Sequence, residues 1–127
     1  MSLNFKIELD IMDYSNNPNP APAIIFYDGN GNRKGGVVWG NLSSVHGTHV
    51  LNNTTNYLIS SDNATKTHTH TIEVTSSSIT VYDEDTQIGT HSTDNTNVSK
   101  IELHTGSNRM AQIKNFKVKP FYNGLTL

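Results

Sequence analysis

Two histidines near the middle of the chain, His68 and His70, are separated by a single residue. Residues two apart on a β-strand point to the same face, so these two imidazoles could share one metal ion. A zinc site also needs a third ligand, which the sequence does not place. Two interpretations therefore stand: a metal site, or hydrogen-bonded histidines at the rim of a sheet.

A second group of metal-binding side chains offers oxygen ligands. Asp28, Asn30 and Asn32 have the alternating spacing of the first ligands in an EF-hand loop. Such a loop needs a bidentate acid at its twelfth position, where this chain has Trp39. One hypothesis is therefore a calcium ion held by these oxygens and by loop carbonyls, and the alternative is an ordinary turn rich in Asn and Gly. No other cofactor is expected.

The acidic residues do not form an obvious catalytic pair. Glycoside hydrolysis requires two carboxyl groups across the scissile bond, and no two of the glutamates, at positions 8, 73, 84 and 102, share a predicted strand at a suitable spacing. Asp83, Glu84 and Asp85 are consecutive, but they fall at a predicted hairpin tip in contact with water. No nucleophile-elbow motif is present. The sequence predicts a protein that is not an enzyme.

A carbohydrate site would combine an aromatic platform with planar amide and carboxylate groups that bind hydroxyls. Trp39 is the only tryptophan, and polar residues surround it in the sequence. The alternative is that Trp39 belongs to the core. The residues proposed for this sugar-binding site are Trp39, Asn30, Asn32, Arg33, Asn41, His49 and Tyr57.

Strands must position all of these groups, because apolar residues recur with a period of two. Phe5, Ile7, Leu9 and Ile11 alternate with polar residues, which predicts a strand with one buried face. Near the other end the inward parity changes between residues 113 and 116, which predicts a β-bulge near Asn115. The other predicted strands include 23–27 and 36–39 as a hairpin, 48–51, 57–60, 67–75, a strand containing Ile79 and Val81, 87–91, 98–104 and 110–121.

About ten short strands without helical spacing predict an all-β sandwich or barrel. The 127 residues form one domain, 1–127. The start, Met-Ser-Leu directly before a strand pattern, suggests a domain excised from a larger surface protein.

The net charge of −2 and the pI near 6.3 offer no field that would attract nucleic acid. No apolar run has the length needed for membrane insertion. Asn, Ser and Thr make up about a third of the chain, and this uncharged polar surface favours an extracellular location, on a cell or a virion.

Three regions of the chain resemble the concanavalin A-like, or laminin G-like, sandwich domains. They are the first strand Phe5-Lys6-Ile7-Glu8-Leu9-Asp10, the central segments His70-Thr71-Ile72-Glu73-Val74, Ser78-Ile79-Thr80-Val81-Tyr82-Asp83 and Gln87-Ile88-Gly89, and the closing strand Ala111-Gln112-Ile113-Lys114-Asn115-Phe116-Lys117-Val118. The resemblance implies a jelly roll of two curved antiparallel sheets. It departs from the family where Glu84-Asp85 follows Tyr82-Asp83 in place of the usual Asp-Gly, and where Lys114 replaces a frequent acidic residue.

The family includes lectins, adhesion domains, viral fibre domains and β-glucan hydrolases, and the hydrolases' Glu-x-Asp-x-x-Glu motif is absent from this chain. The leading hypothesis is a non-catalytic binding module of a cell-surface or secreted protein, with carbohydrate or a glycoconjugate as its partner. A second hypothesis is a structural or assembly domain of an adhesin, surface layer or phage tail fibre, which would form a homo-oligomer. A third is a glycan hydrolase of the same fold.

Overall fold

The structure is a computed structural model that describes residues 4–12, 22–42, 45–61, 67–104 and 112–120. The described residues form ten strands and no helix. The strands are β1 (Phe5–Met12), β2 (Ala23–Asp28), β3 (Arg33–Leu42), β4 (Val45–Asn52), β5 (Thr55–Ser60), β6 (His68–Val74), β7 (Ser78–Asp83), β8 (Thr86–Ser92), β9 (Val98–His104) and β10 (Gln112–Pro120). Within the described ranges, no helix is long and apolar enough to span a membrane.

The ten strands form two five-stranded sheets whose described strand pairs are all antiparallel. The first sheet has the order β10-β1-β6-β7-β8, and the second has the order β5-β4-β3-β2-β9. The prediction of an all-β protein with two antiparallel sheets is confirmed. The predicted hairpin of residues 23–27 and 36–39 is also present, as β2 and β3.

The core lies between the two sheets and follows the alternation in the sequence. All four apolar residues of the first strand, Phe5, Ile7, Leu9 and Ile11, are buried. Phe5 packs edge-to-face on Phe26 of the opposite sheet, with ring centroids 5.3 Å apart and planes at 82°. This contact is one of those that join the sheets into a sandwich.

The predicted bulge in the closing strand is confirmed. The pairing of β1 with β10 shifts register between Glu8 and Asp10, and Asn115 has φ of 55°. Asn tolerates this left-handed conformation better than most residues do. Its side-chain Nδ2 also donates a hydrogen bond of 2.6 Å to Oδ2 of Asp10, which fixes the bulge to the neighbouring strand.

The sandwich is closed along the edge where β5 of the second sheet meets β8 of the first. Gly89 of β8 lies so close to β5 that a Cβ at this position would be 2.5 Å from Cβ of Ile59. Beside it, the ring of Tyr57 stacks on the ring of His91 with centroids 3.8 Å apart. Both contacts hold the edges of the two sheets together.

At the other edge, β9 and β10 carry apolar residues that are only partly covered. Leu103 pairs with buried Ile24, and Val118 pairs with buried Ile7, so both side chains are on the inward-facing side of their sheets. Leu103 nevertheless keeps 43% of its surface exposed and Val118 keeps 47%. The exposure arises because an edge strand has a neighbour on one side only.

Candidate functional site

A polar cleft lies at the end of the sandwich where three chain connections meet: the β2–β3 turn, the β4–β5 turn and the β8–β9 connection. Its volume is about 330 Å³, which is within the usual range of small-molecule sites. The lining residues are all charged or amide-bearing: Asp28, Asn32, Arg33, Lys34, Asn52, Asn53 and Asp94.

The β2–β3 turn is shaped by the carboxylate of Asp28. Its Oδ1 accepts hydrogen bonds of 2.9 Å from the backbone nitrogens of Asn30 and Asn32, and its Oδ2 accepts one of 3.1 Å from Nδ2 of Asn32. These bonds lower the pKa of Asp28, chiefly through Asn32. The arrangement is an Asp-capped turn, in which both carboxylate oxygens already accept hydrogen bonds from the turn itself. Calcium binding by Asp28, Asn30 and Asn32 remains a prediction that this geometry does not favour.

The ammonium group of Lys34, next to the β2–β3 turn, binds side chains of the β8–β9 connection. Nζ of Lys34 is 3.0 Å from Oδ2 of Asp94 and donates a second hydrogen bond of 3.3 Å to Oγ1 of Thr96. The other oxygen of Asp94 accepts from the backbone nitrogen and the hydroxyl of Thr96. These bonds, those from Thr96 first, lower the pKa of Asp94 to about 2. Asp94 is therefore an ionised acceptor at any physiological pH.

The walls of the cleft are fixed by further hydrogen bonds to the backbone. The nitrogen of Asn53 donates to the carbonyl of Lys34 at 2.8 Å, and the nitrogen of Asp94 donates to Oδ1 of Asn52 at 3.2 Å. Asn53 also has φ of 58°, so its side chain projects from a tight left-handed turn. The cleft is consequently a preformed surface and not a gap between free loops.

Buried Asn95 anchors the β8–β9 connection beneath the cleft. Its Nδ2 donates to the carbonyls of Thr75 and Ser78 at 2.9 and 3.2 Å. Gly35 provides the space for this amide, because a Cβ there would collide with Oδ1 of Asn95. Gly35 and Asn95 together therefore fix the position of Asp94.

A second group of functional side chains lies on β6 and β7, away from these connections. His70 and Asp83 are register partners, and His68 is two residues along β6. Nδ1 of His68 is 2.8 Å from Oδ2 of Asp83, and Nε2 of His70 is 4.0 Å from the same oxygen. One potential ligand atom of each residue lies within 4.8 Å of those of the other two. Asp83 therefore has the position that a third ligand would need, which the sequence left unplaced.

The hydrogen bond from Trp39 determines which nitrogen of the His70 ring carries the hydrogen, and hence which nitrogen could bind a metal. Its Nε1 donates a hydrogen bond of 3.0 Å to Nδ1 of His70. Because an indole nitrogen can only donate, Nδ1 of His70 is the acceptor and Nε2 of the neutral ring carries the hydrogen, directed towards Asp83. A metal at Nε2 would have to displace that hydrogen and turn two N–H groups towards each other. Metal binding by His68 and His70 stays a prediction, and the Trp39 hydrogen bond opposes it.

The sugar site predicted from the sequence is not assembled as one site. Asn32 and Arg33 line the cleft, and Asn30 belongs to the same turn. Trp39 is six residues further along β3, roughly 20 Å away at about 3.3 Å per residue. It is completely buried, so its ring offers no face on which a sugar could stack, and its position is that of a core residue.

The remaining members of that predicted site are also dispersed. His49 is buried, with Nε2 3.2 Å from the carbonyl oxygen of Gly40. Tyr57 stacks on His91 at the closed edge of the sandwich. The side chain of Asn41 lies outside the described part of the structure.

Four residues of the cleft were not predicted from the sequence: Lys34, Asn52, Asn53 and Asp94. They come from connections that are far apart in the chain, and only the packing of the sheets brings them together. Asp83 differs, because a hairpin turn at Ser76-Ser77 implies the register that pairs residue 70 with residue 83. The sequence alone could therefore have predicted that Asp83 lies opposite His70.

Comparison with known proteins adds no family assignment. No protein-family model matches the chain, and no curated protein matches it either. What the chain does must therefore be inferred from its two-sheet fold, from the polar cleft and from the chemistry of the residues that line it.

Proposed function

We propose that this protein is a non-catalytic carbohydrate-binding module of a cell-surface or secreted protein, and that the cleft at the β2–β3, β4–β5 and β8–β9 connections is its binding site. The observation that carries the proposal is the lining of the cleft. Carboxylate, amide and guanidinium groups are the planar partners that match the hydroxyls of a sugar.

The fixed geometry of the cleft supports this proposal. Asp94 is held by Lys34 and Thr96, and the Asn53 backbone is held by Lys34. A preorganised polar surface loses little entropy when it binds a ligand. Within the described lining there is no aromatic residue, so recognition would depend on hydrogen bonds and charge.

The concanavalin A-like jelly roll is the finer fold that we propose for the two sheets. Its support is the resemblance of three sequence segments together with the ten antiparallel strands. Pairing of the first strand with the last described strand, β1 with β10, is consistent with it. An extracellular location is part of the same proposal and has the polar composition as its support.

The test is a glycan array probed with the wild-type chain and with Asn53→Gly. Glycine adopts the positive φ of Asn53 without strain, so the variant removes the amide from the cleft while the turn is retained. Asn97→Gly is the matched control, because Asn97 has φ of 61°, is exposed and does not line the cleft.

We expect the wild type and Asn97→Gly to bind the same glycans, and Asn53→Gly to lose most of that signal. Equal signals from all three proteins would show that any sugar site lies elsewhere. The absence of any glycan signal from the wild type would overturn the proposed function.

A second candidate function, assembly within a fibre or surface layer, has one observation in its favour. Leu103 and Val118 are inward-facing residues that remain about half exposed at the β9 and β10 edges. Sedimentation of the isolated domain distinguishes the two functions. A stable oligomer that dissociates in Val118→Thr would support assembly, and a monomer at all concentrations would exclude it.

A further inference from the structure

Four charged side chains line the cleft, and three of them are already engaged within the protein. Asp28 accepts from its own turn, and Lys34 pairs with Asp94. The fourth, Arg33, is exposed at the start of β3, and its side chain makes no ion pair or hydrogen bond with the described residues. Among the described residues of the lining, Arg33 is therefore the one charged side chain without a hydrogen-bond or ion-pair partner, in a lining whose two cations and two anions sum to zero.

The chemistry of that group defines what it would bind. A guanidinium is planar, always charged and presents paired N–H donors that match a carboxylate in a bidentate geometry. Beside it, the amide of Asn53 makes no side-chain hydrogen bond to the described residues. It leaves both donor and acceptor positions for sugar hydroxyls.

We propose that the natural ligand of the cleft is an acidic sugar whose carboxylate is bound by Arg33. This inference rests on the proposed carbohydrate-binding function and specifies its ligand class. Asp28 also has a part, because its ionised carboxylate repels a ligand carboxylate from the hairpin turn. The acidic group of the sugar is thereby directed to the Arg33 side of the cleft.

The test compares short oligosaccharides of galacturonic acid with neutral galactose oligosaccharides of equal length, by calorimetry. Sialic acid oligosaccharides form a second acidic arm, since they carry the same carboxylate on a different ring. The variants are Arg33→Gln, which removes the charge, and Arg33→Lys, which keeps the charge but loses the paired donors. Lys117→Gln, on the exposed face of β10 in the other sheet, is the matched control for net charge.

We expect at least one acidic series to bind more tightly than the neutral series, and its affinity to fall with added salt. Arg33→Gln should weaken acidic binding by about tenfold or more, as for a hydrogen bond to a charged group. Arg33→Lys should lie between Arg33→Gln and the wild type, and Lys117→Gln should bind as the wild type does. Binding of neutral oligosaccharides should change little in all three variants.

The outcomes separate this inference from the function on which it rests. Neutral binding that is at least as strong as acidic binding, or acidic binding that does not depend on Arg33, would overturn the acidic ligand and leave the carbohydrate module standing. An equal loss in Lys117→Gln and Arg33→Gln would show that net charge alone is responsible, which also overturns it. No binding of any sugar would overturn both.

Discussion

Nε1 of Trp39 donates a 3.0 Å hydrogen bond to Nδ1 of His70 across the interior of the sandwich. Both side chains are almost completely buried, and they belong to different sheets. The bond therefore satisfies two polar atoms that have no access to water, and it joins β3 to β6 at the same time.

Removing the acceptor should destabilise the protein. In His70→Leu the buried indole nitrogen loses its partner, which costs about 1–3 kcal/mol. Urea unfolding of His70→Leu, Trp39→Phe and the double variant measures the coupling between the two residues. We expect the double variant to be more stable than the sum of the single effects predicts, and strict additivity would contradict the coupling.

Trp39 should also control the response to zinc. Trp39→Phe removes the donor, so the hydrogen of the His70 ring can move to Nδ1, which gives Nε2 the lone pair that a metal requires. We expect zinc to raise the Tm of Trp39→Phe more than that of the wild type, and Asp83→Asn in the same background to abolish the rise. Each protein is compared with itself after chelation, and an equal rise in the wild type, or none in either protein, would refute the tautomer argument.

Gly35 should not tolerate a side chain, because a Cβ would collide with the buried amide of Asn95. Gly35→Ala is expected to lower the free energy of unfolding by about 1–3 kcal/mol, the usual cost of overpacking. The control is Gly29→Ala, where the nearest heavy atom to the added Cβ would be Oγ of Ser99 at 3.8 Å. Equal stability of the two variants in chemical denaturation would contradict the anchoring role of Asn95.

The hydrogen bonds that Asp94 accepts from Thr96 and Lys34 should contribute to stability only while Asp94 is ionised. Its pKa is lowered from 3.8 to about 2 in the folded protein, so this contribution is present above about pH 4 and is lost as the pH falls through about 2. The difference in unfolding free energy between the wild type and Asp94→Asn should therefore be constant near neutral pH and disappear in strong acid. The effect should be modest, since 65% of the Asp94 side chain is exposed.

Asp85→Asn is the control for the acid titration. Asp85 is exposed on the β7–β8 turn and makes no hydrogen bond or ion pair with the described residues. Its substitution should leave the pH profile of the wild type unchanged. A difference for Asp94→Asn that persists below pH 2 would mean that the substitution acts through packing and not through charge.

Local patterns in the sequence were sufficient to predict much of the fold. The alternation of Phe5, Ile7, Leu9 and Ile11 predicted a strand whose apolar residues are all buried. The change of parity before residue 116 predicted the bulge at Asn115. Each signal is confined to a few neighbouring residues, so neither depends on the packing of distant strands.

The candidate site was harder to predict because it is built from contacts between connections. Asp94 is held in the cleft by Lys34, which lies sixty residues earlier in the chain. No local sequence pattern predicts a contact between residues so far apart. Trp39 was predicted to be the aromatic platform of a sugar site because it is the only tryptophan in the sequence. Its burial follows from its place on β3 opposite His70 in the other sheet, which only the sandwich reveals.

The pairing of β1 with β10 places the two ends of the described fold side by side, with Phe5 opposite Pro120. A short linker could therefore join those ends without crossing the sandwich, and new ends could be opened at the exposed Glu84-Asp85 turn, which does not line the cleft. In the same way, the domain could be inserted into a surface loop of a host protein, because both connections to the host would leave from one point. The paired ends therefore suit the domain to circular permutation and to insertion into another protein.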